Sequence, residues 1–459
     1  MQPKQHGEGN PWVKKRKRKV LLMRLTNIPR SLRVTVVPVS TSSLSRVSML
    51  TGEAGKTTVF KHEFTSALRQ SLMAYAFNIF GIIAGMIFAH FLGVFQSFPW
   101  AFIVYPPILS ARGVIGGLFC GRLSTGLHLG TVKPSFSKNT RSFYLLLHAT
   151  IVLTLEASIL IGLIATVLYA WSQSMLKPDF FSILLVIMST MALALAVITP
   201  LAITASFLSF KHGLNPDIVL YPVESTIADL LITLLYVGVL NIFAFNNSAG
   251  QYLLSSISLT LIFLATYFTI RNLREREFVK TIKESLLTII LVSIIINVAG
   301  STFGKISEIV EERKEIYTVY PALIDTIGDV GSVVGSTATT KLALGTLKPS
   351  FSSIKEHSLE ISSAWLASLI MYCVYSVLSL MIQGVLTLPN LLSFTVLLVI
   401  ANLMAASGII VVSYAVAILT YKRGFDPDNF EIPVESSLAD SLTSIALLFS
   451  LIIVGGFQE

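Results

Sequence analysis

The chain has 459 residues, 53% of them hydrophobic and only 13% charged, against roughly a quarter charged in soluble domains. That composition excludes a water-soluble fold of this length and makes the chain a polytopic membrane protein of the all-α class, because apolar stretches near the roughly 20 residues that cross a bilayer recur throughout. Net charge is +9, and residues 1–35, with ten Lys or Arg against one Glu, hold the whole excess, so the remaining body is electrically balanced.

Residues 1–57 are basic, polar and Ser/Thr-rich, with too little apolar sequence for a core, and read as a disordered cytoplasmic tail. The run Lys14-Lys15-Arg16-Lys17-Arg18-Lys19 has no packed basic domain around it, so the expected partner is anionic lipid and not nucleic acid. Arg24, Pro29, Arg30 and Arg33 interrupt the apolar piece that follows, so the pattern of a cleaved signal peptide is missing and the tail is expected to stay attached. Gly52-Glu53-Ala54-Gly55-Lys56-Thr57 imitates a phosphate loop, but Leu50 stands where that loop needs glycine and no αβ unit follows.

Eleven apolar spans then follow, near 71–95, 106–127, 143–170, 180–208, 224–245, 252–270, 285–304, 321–343, 361–387, 391–420 and 435–456. Tyr105 through Ser137 aligns with Tyr320 through Ser352 at an offset of 215, with 14 of 33 positions identical, both copies ending Gly-Thr-x-Lys-Pro-Ser-Phe-Ser. Lys211 to Asp229 aligns with Lys422 to Asp440 at an offset of 211, with 10 of 19 identical. The duplication predicts a first five-helix repeat over 58–248, a connecting helix and basic loop over 249–277, and a second five-helix repeat over 278–459. Five spans would invert the second copy; the span near 252–270 has no counterpart and restores its orientation. The repeats are therefore expected to be parallel, a fused pseudo-dimer in one monomer.

Charge in the loops sets the direction. With the N-terminus inside, fourteen Lys or Arg fall in inner loops and only Lys177, Lys305, Arg313 and Lys314 in outer ones. The expected topology, in a cell membrane, has the N-terminus and the 271–283 loop cytoplasmic and Glu459 external.

Carboxylates within spans are costly and mark ion or substrate paths. Asp229 and Asp440 lie at matching places in the fifth span of each repeat, where a pseudo-two-fold axis lets them face each other. Two such carboxylates repel unless a cation sits between them, and hard oxygen ligands suit Mg²⁺, Mn²⁺ or Ca²⁺. Glu224 and Glu435, each two residues after a proline, fit a first-turn helix stabiliser as well as a ligand at the cytoplasmic mouth. Second spans are rich in small residues, among them Gly113, Gly116 and Gly121 and, in the other copy, Gly328, Gly331 and Gly335, and close helix packing alone would account for them. Asp329 among these glycines is a further cation-ligand candidate, and since its counterpart is Val114 that site is asymmetric; Asp325, a turn earlier, is a weaker candidate. Glu156 in the third span reads as a carboxyl hydrogen-bonded to a neighbouring helix or as a coupling residue, and Arg122 and Lys341 as side chains snorkelling to headgroups. No histidine is spaced with another His or Cys for zinc, and Cys120 and Cys373 suggest no disulfide.

Pro106-Pro107-Ile108-Leu109 through Arg112-Gly113, Arg122-Leu123-Ser124-Thr125, and Gly424-Phe425-Asp426-Pro427-Asp428-Asn429 through Pro433 to Ala439-Asp440 carry a resemblance that covers about residues 60–456. At these residues the chain resembles the MgtE family of magnesium channels and transporters, and more closely their duplicated relatives among the eukaryotic solute carriers. The resemblance implies a pore at the two-fold interface, with Mg²⁺ bound by the fifth-helix aspartates, here Asp229 and Asp440. It also implies Gly-Asn in the second helix, where this chain has Gly113-Val114 and Gly328-Asp329. The large cytoplasmic sensor domains of bacterial members have no counterpart in 57 polar residues. The expected function is passage of a largely hydrated divalent cation, Mg²⁺ foremost, with no enzymatic role and no cofactor beyond the transported ion. The runner-up is a Na⁺- or H⁺-coupled divalent exchanger on the same scaffold; a membrane-embedded lipid enzyme ranks last because no catalytic set is in view.

Overall fold

Each apolar run folds as a helix because a backbone surrounded by lipid can satisfy its N–H and C=O groups only within the segment. The computed structural model describes residues 53–455 other than 137, 173–179, 213–215, 246–247 and 424–426, and along 53–60, 216–226 and 427–434 and at 128, 172, 343 and 455 the helix backbone alone. The chain divides into two units, Met1–Glu63 and Phe64–Glu459. The tail expected to be disordered lies outside the described residues up to 52, whereas Gly55-Lys56-Thr57 sits inside a helix and not in a phosphate-cradling loop.

The first segment holds α1 (Glu53–Tyr75), α2 (Ile79–His90), the short α3 (Leu92–Ser97), α4 (Trp100–Leu129), α5 (Arg141–Ser172), α6 (Phe180–Lys211) and α7 (Pro216–Ala244). Then come α8 (Ser248–Asn272), α9 (Arg276–Val310), α10 (Lys314–Leu344), α11 (Ser358–Ile382), α12 (Leu388–Arg423) and α13 (Pro427–Gly455). The architecture is all-α and polytopic, as composition requires. The first crossing, expected at 71–95, runs over Lys61–His90 and is broken by a 3₁₀ turn at Ala76–Asn78 that joins α1 to α2.

Among the described residues, ten helical segments are apolar and long enough to cross a membrane. The remaining long helix, α10, has 31 residues, about 46 Å at 1.5 Å each, and falls outside that set because it carries Asp325, Asp329 and a series of Ser and Thr. Its neighbours explain how it stays in a membrane protein: α2, α11, α12 and α13 pack around it, so its polar groups meet helices instead of lipid.

The two copies interlock. α2, in the first crossing, packs against α10, the second helix of the other copy; α9, the first crossing of the second copy, packs against α4 in the same way. Glycine makes both approaches possible. A Cβ added to Gly85 would lie 2.1 Å from the Thr318 carbonyl oxygen, and one added to Gly300 would lie 2.0 Å from that of Ile103. These residue pairs are equivalents at the 215 offset, so backbone meets backbone twice. By contrast, space is open around Gly113 and Gly121, and the close packing expected of the second-span glycines does not occur at those two.

Aromatic rings repeat the relation. Phe88 lies 4.5 Å from Tyr105 and Phe303 lies 4.1 Å from Tyr320, centroid to centroid. Phe88 and Phe303 also meet each other at 5.8 Å, as do Phe102 and Tyr317. Both second-copy members sit 215 residues after their partners, so these rings meet where the copies face each other. The second helices end alike as well: Gly130 and Gly345 both take φ +72°, and their N–H groups bond back to Leu127 and Leu342. Only glycine adopts that left-handed conformation without strain, which accounts for the glycine in the repeated loop motif.

Candidate cation site at the repeat interface

The fifth helices α7 and α13 are fixed to the second helices by matching hydroxyl chains. In one copy the Tyr105 hydroxyl is 3.0 Å from Thr233 Oγ1, and Thr233 donates to the Asp229 carbonyl at 2.7 Å. In the other, the Tyr320 hydroxyl is 2.7 Å from Ser444 Oγ, and Ser444 donates to the Asp440 carbonyl at 2.7 Å. Tyr105 and Tyr320 open the repeated block, and Thr233 and Ser444 match at offset 211, so repeat alignment carried a signal for these anchors even though hydropathy did not.

With the backbones held so, the acids come together crosswise. The Asp325 side chain on α10 is in hydrogen-bonding contact with Asp229 on α7, the other copy, and lies within electrostatic reach of Asp329 and Asp440. Ser110, the repeat equivalent of Asp325, lies beside Asp440 on α13, with its hydroxyl in hydrogen-bond geometry to no group among the described residues. The second helix of each copy thus faces the fifth-helix aspartate of the other. Asp325, ranked below Asp329 on the sequence, stands at the centre of the group. Asp440 is buried, and Asp229, Asp325 and Asp329 are half-buried.

Asp329 has a partner from the first copy. At the 3₁₀ break, Asn78 Nδ2 donates to Asp329 Oδ2 at 2.7 Å and to Thr326 Oγ1 at 3.2 Å. The Tyr375 hydroxyl lies 2.9 Å from the same threonine oxygen, tying α11 to the group. Asn78 escaped sequence reading because its counterpart, Ser293, differs and the break in the first crossing has no composition signal.

Other expectations fare differently. Glu435 is buried, accepts from the Ser413 hydroxyl, and occupies the space over Gly331, where a Cβ would be 2.3 Å from Oε1; it is held against α12, five residues before Asp440. The Glu224 side chain lies outside the described residues, as does the loop at 424–426. Glu156 makes no hydrogen bond to a neighbouring helix among the described residues, and its Oε2 is buried without a partner, contrary to the expected interhelical bond. Arg122 and Lys341 do not simply snorkel: Arg122 donates to Thr281 at 2.6 Å and pairs with Glu284 at 3.4 Å, and Lys341 pairs with Glu360 at 2.7 Å. A narrow cavity lined by Arg112, Thr150, Thr154 and Thr199 lies among α4, α5 and α6, apart from the aspartates. Among the described residues no three His, Cys, Asp or Glu side chains form a ready-made metal cage.

Carboxylates gathered between two copies of one helical unit, inside a membrane body, define a polytopic protein whose charged interior faces its own repeat interface. Comparison with known proteins gives that class a family. The family described as MgtE, divalent cation transporter, matches at residues 105–239 and again at 320–450. The chain belongs to this family. It is 23% identical over 394 residues to solute carrier family 41 member 3 of Mus musculus, covering 80% of this chain and 79% of that protein. The Rattus norvegicus protein of the same name is 21% identical over 381 residues, covering 78% and 80%. No solved structure matches the chain significantly.

Proposed function

We propose that the protein passes a hydrated divalent cation, Mg²⁺ foremost, along the interface between its two copies, with Asp229, Asp440, Asp325 and Asp329 as the acids that hold it. The observation that carries this reading is the crosswise meeting of Asp325 with Asp229 and of Ser110 with Asp440. Two carboxyls in contact repel unless a proton or a cation lies between them, and oxygen-only ligation suits a hard divalent ion. Mg²⁺ sheds water reluctantly and usually keeps several waters, which accords with acids that surround a path without closing into a cage. An inside-negative potential of 100 mV supplies roughly 4.6 kcal/mol to an entering divalent ion, at about 2.3 per charge, so inward flow needs no other source.

On this reading 58–248 and 278–459 are the repeats and 249–277 the connector, the fused pair working as a pseudo-dimer in one chain. The N-terminus and the 271–283 loop are cytoplasmic in a cell membrane, Glu459 is external, and the basic tail rests on anionic lipid. Flux into proteoliposomes under an imposed potential tests it. Asp440→Ala and Asp229→Ala should each lower Mg²⁺ flux at least about tenfold while the protein stays folded, and the Asn variants should retain more. A folded double Ala variant that transports like the parent sinks the reading, and flux that stops without a Na⁺ or H⁺ gradient turns it into exchange.

A further inference from the structure

The link between α8 and α9 sorts its charges by side. Its acids turn to the first copy: Glu275 pairs with Arg141, and Glu277 accepts the Ser142 hydroxyl at 3.2 and 3.0 Å. Glu284, about two turns into α9, is engaged by Arg122 at 3.4 Å and by Lys280 at 3.6 Å. The remaining cations border an open groove lined by Leu273, Arg274, Arg276, Lys280, Lys283 and Glu284. Of these, Arg274, Arg276 and Lys283 are exposed and make no ion pair or hydrogen bond among the described residues. Three uncompensated positive charges therefore border one concave surface.

The scaffold under them is fixed. Buried Asn272 donates to the Phe268 carbonyl at 2.8 Å and lies 3.2 Å from His148 Nδ1, and the Glu275 N–H bonds to the Asn272 carbonyl at 2.9 Å. The groove also sits where two apolar helices end, and the approach along α8 is lipid-like: Ile270 is 67% exposed and Leu273 59%. Cations over exposed apolar side chains at a helix end match a molecule with a phosphate above and acyl chains below.

We propose that this groove binds the phosphate-bearing headgroup of an anionic membrane lipid, with Arg274, Arg276 and Lys283 as its phosphate ligands. Lys280, shared with Glu284, completes the rim. The same helix carries the Ile295 carbonyl, which accepts the Ser441 hydroxyl at 2.7 Å next to Asp440, so a headgroup at the start of α9 is joined through one rigid element to the acids. That last step alone rests on the proposed function; headgroup binding does not.

The full chain in phosphatidylcholine nanodiscs, titrated with phosphatidic acid and read as bound lipid by native mass spectrometry, provides the test. The triple variant Arg274→Gln, Arg276→Gln, Lys283→Gln should weaken binding on the order of 100-fold. Arg274→Lys with Arg276→Lys should keep it. Because the basic tail could bind the same lipid, a full chain with residues 14–19 changed to Gln is compared, and it should retain the tight site. Unfolding temperature in phosphatidylcholine alone should be unchanged in the triple variant. Binding equal to the parent in the triple variant, or loss of the tight site in the tail variant alone, overturns the proposal. Inorganic phosphate that binds without lipid and competes at equal affinity overturns the lipid assignment and leaves free phosphate as the ligand. Since bound lipid and not flux is measured, failure here and failure of the cation path are separate results.

Discussion

Gly300→Ala is the sharpest probe of how the two copies interlock. The added Cβ would stand 2.0 Å from the Ile103 carbonyl oxygen, with Pro107 carbons at 2.8 and 2.9 Å. Carbon and carbonyl oxygen come no closer than about 3.3 Å even in favourable contacts, so α9 and α4 must part by roughly 1.3 Å. Neither partner atom is a flexible side-chain end, since one is backbone and the others belong to a proline ring. Overpacking of this kind costs about 1–3 kcal/mol, and the displacement falls on α9, which also packs on α13. Gly85→Ala should act likewise, with its Cβ 2.1 Å from the Thr318 oxygen. Thermal unfolding in detergent and Mg²⁺ flux in proteoliposomes measure both effects. The expected result is lowered stability and lowered flux for each, with Gly113→Ala and Gly121→Ala near the parent because nothing stands within 4 Å of either Cβ. Parental stability in Gly300→Ala and Gly85→Ala, or loss in the two controls, would refute the interlocked packing.

Tyr105→Phe and Tyr320→Phe remove the hydroxyl that anchors each fifth helix, and each should cost about 0.6–1 kcal/mol in reversible unfolding from bicelles, the usual scale for a hydrogen bond between membrane helices; a cost above about 3 kcal/mol would mean the hydroxyls do more than anchor. Asp329→Val copies the first-repeat residue Val114 into the second and should weaken divalent affinity at least about tenfold while flux persists, because Asp229, Asp325 and Asp440 remain; unchanged affinity by isothermal titration would remove Asp329 from the path. Single cysteines placed at 274 and 387, in a chain lacking Cys120 and Cys373, should label from opposite faces, the first from the cytoplasm, and labelling of both from one face would contradict the parallel arrangement.

Most of the helices were readable from apolar runs alone, since the physics that keeps a helix in lipid leaves a run of apolar residues behind. The first crossing was displaced because hydropathy averages over the 3₁₀ break at Ala76–Asn78 and runs on into Leu92–Ser97. The interlock was missed although it was written in the chain: Ala84-Gly85 with Phe88 recurs as Ala299-Gly300 with Phe303 at the same offset of 215 as the second spans. At Gly113 and Gly121 the second-span glycines meet no close neighbour, since a small residue in a helix shows only that an approach is allowed, and the partner decides whether it occurs. Arg122 and Lys341 went the same way. A cation near a span end looks like a lipid contact until the fold brings Glu284 and Glu360 beside it.

The acids show what duplication in one chain permits. A homodimer must place the same residue on both sides of its axis, so an aspartate added to the second helix would appear twice and raise the repulsion at the centre by two charges. Here the second helices differ at the positions that carry the acids: Ser110 stands where the other copy has Asp325, and Val114 where it has Asp329. Only the fifth-helix pair, Asp229 and Asp440, is kept on both sides. Asp325 reaches across to Asp229 while Ser110 lies beside Asp440, so the second helix α10 adds acids to the fifth-helix pair at these positions and α4 adds none. Asn78, from the first copy, holds Asp329 in place at 2.7 Å, whereas the equivalent pair, Ser293 and Val114, contains neither the amide nor the acid. On the proposed path the extra charge at these positions comes from α10 alone, an asymmetry that requires two different repeats in one polypeptide.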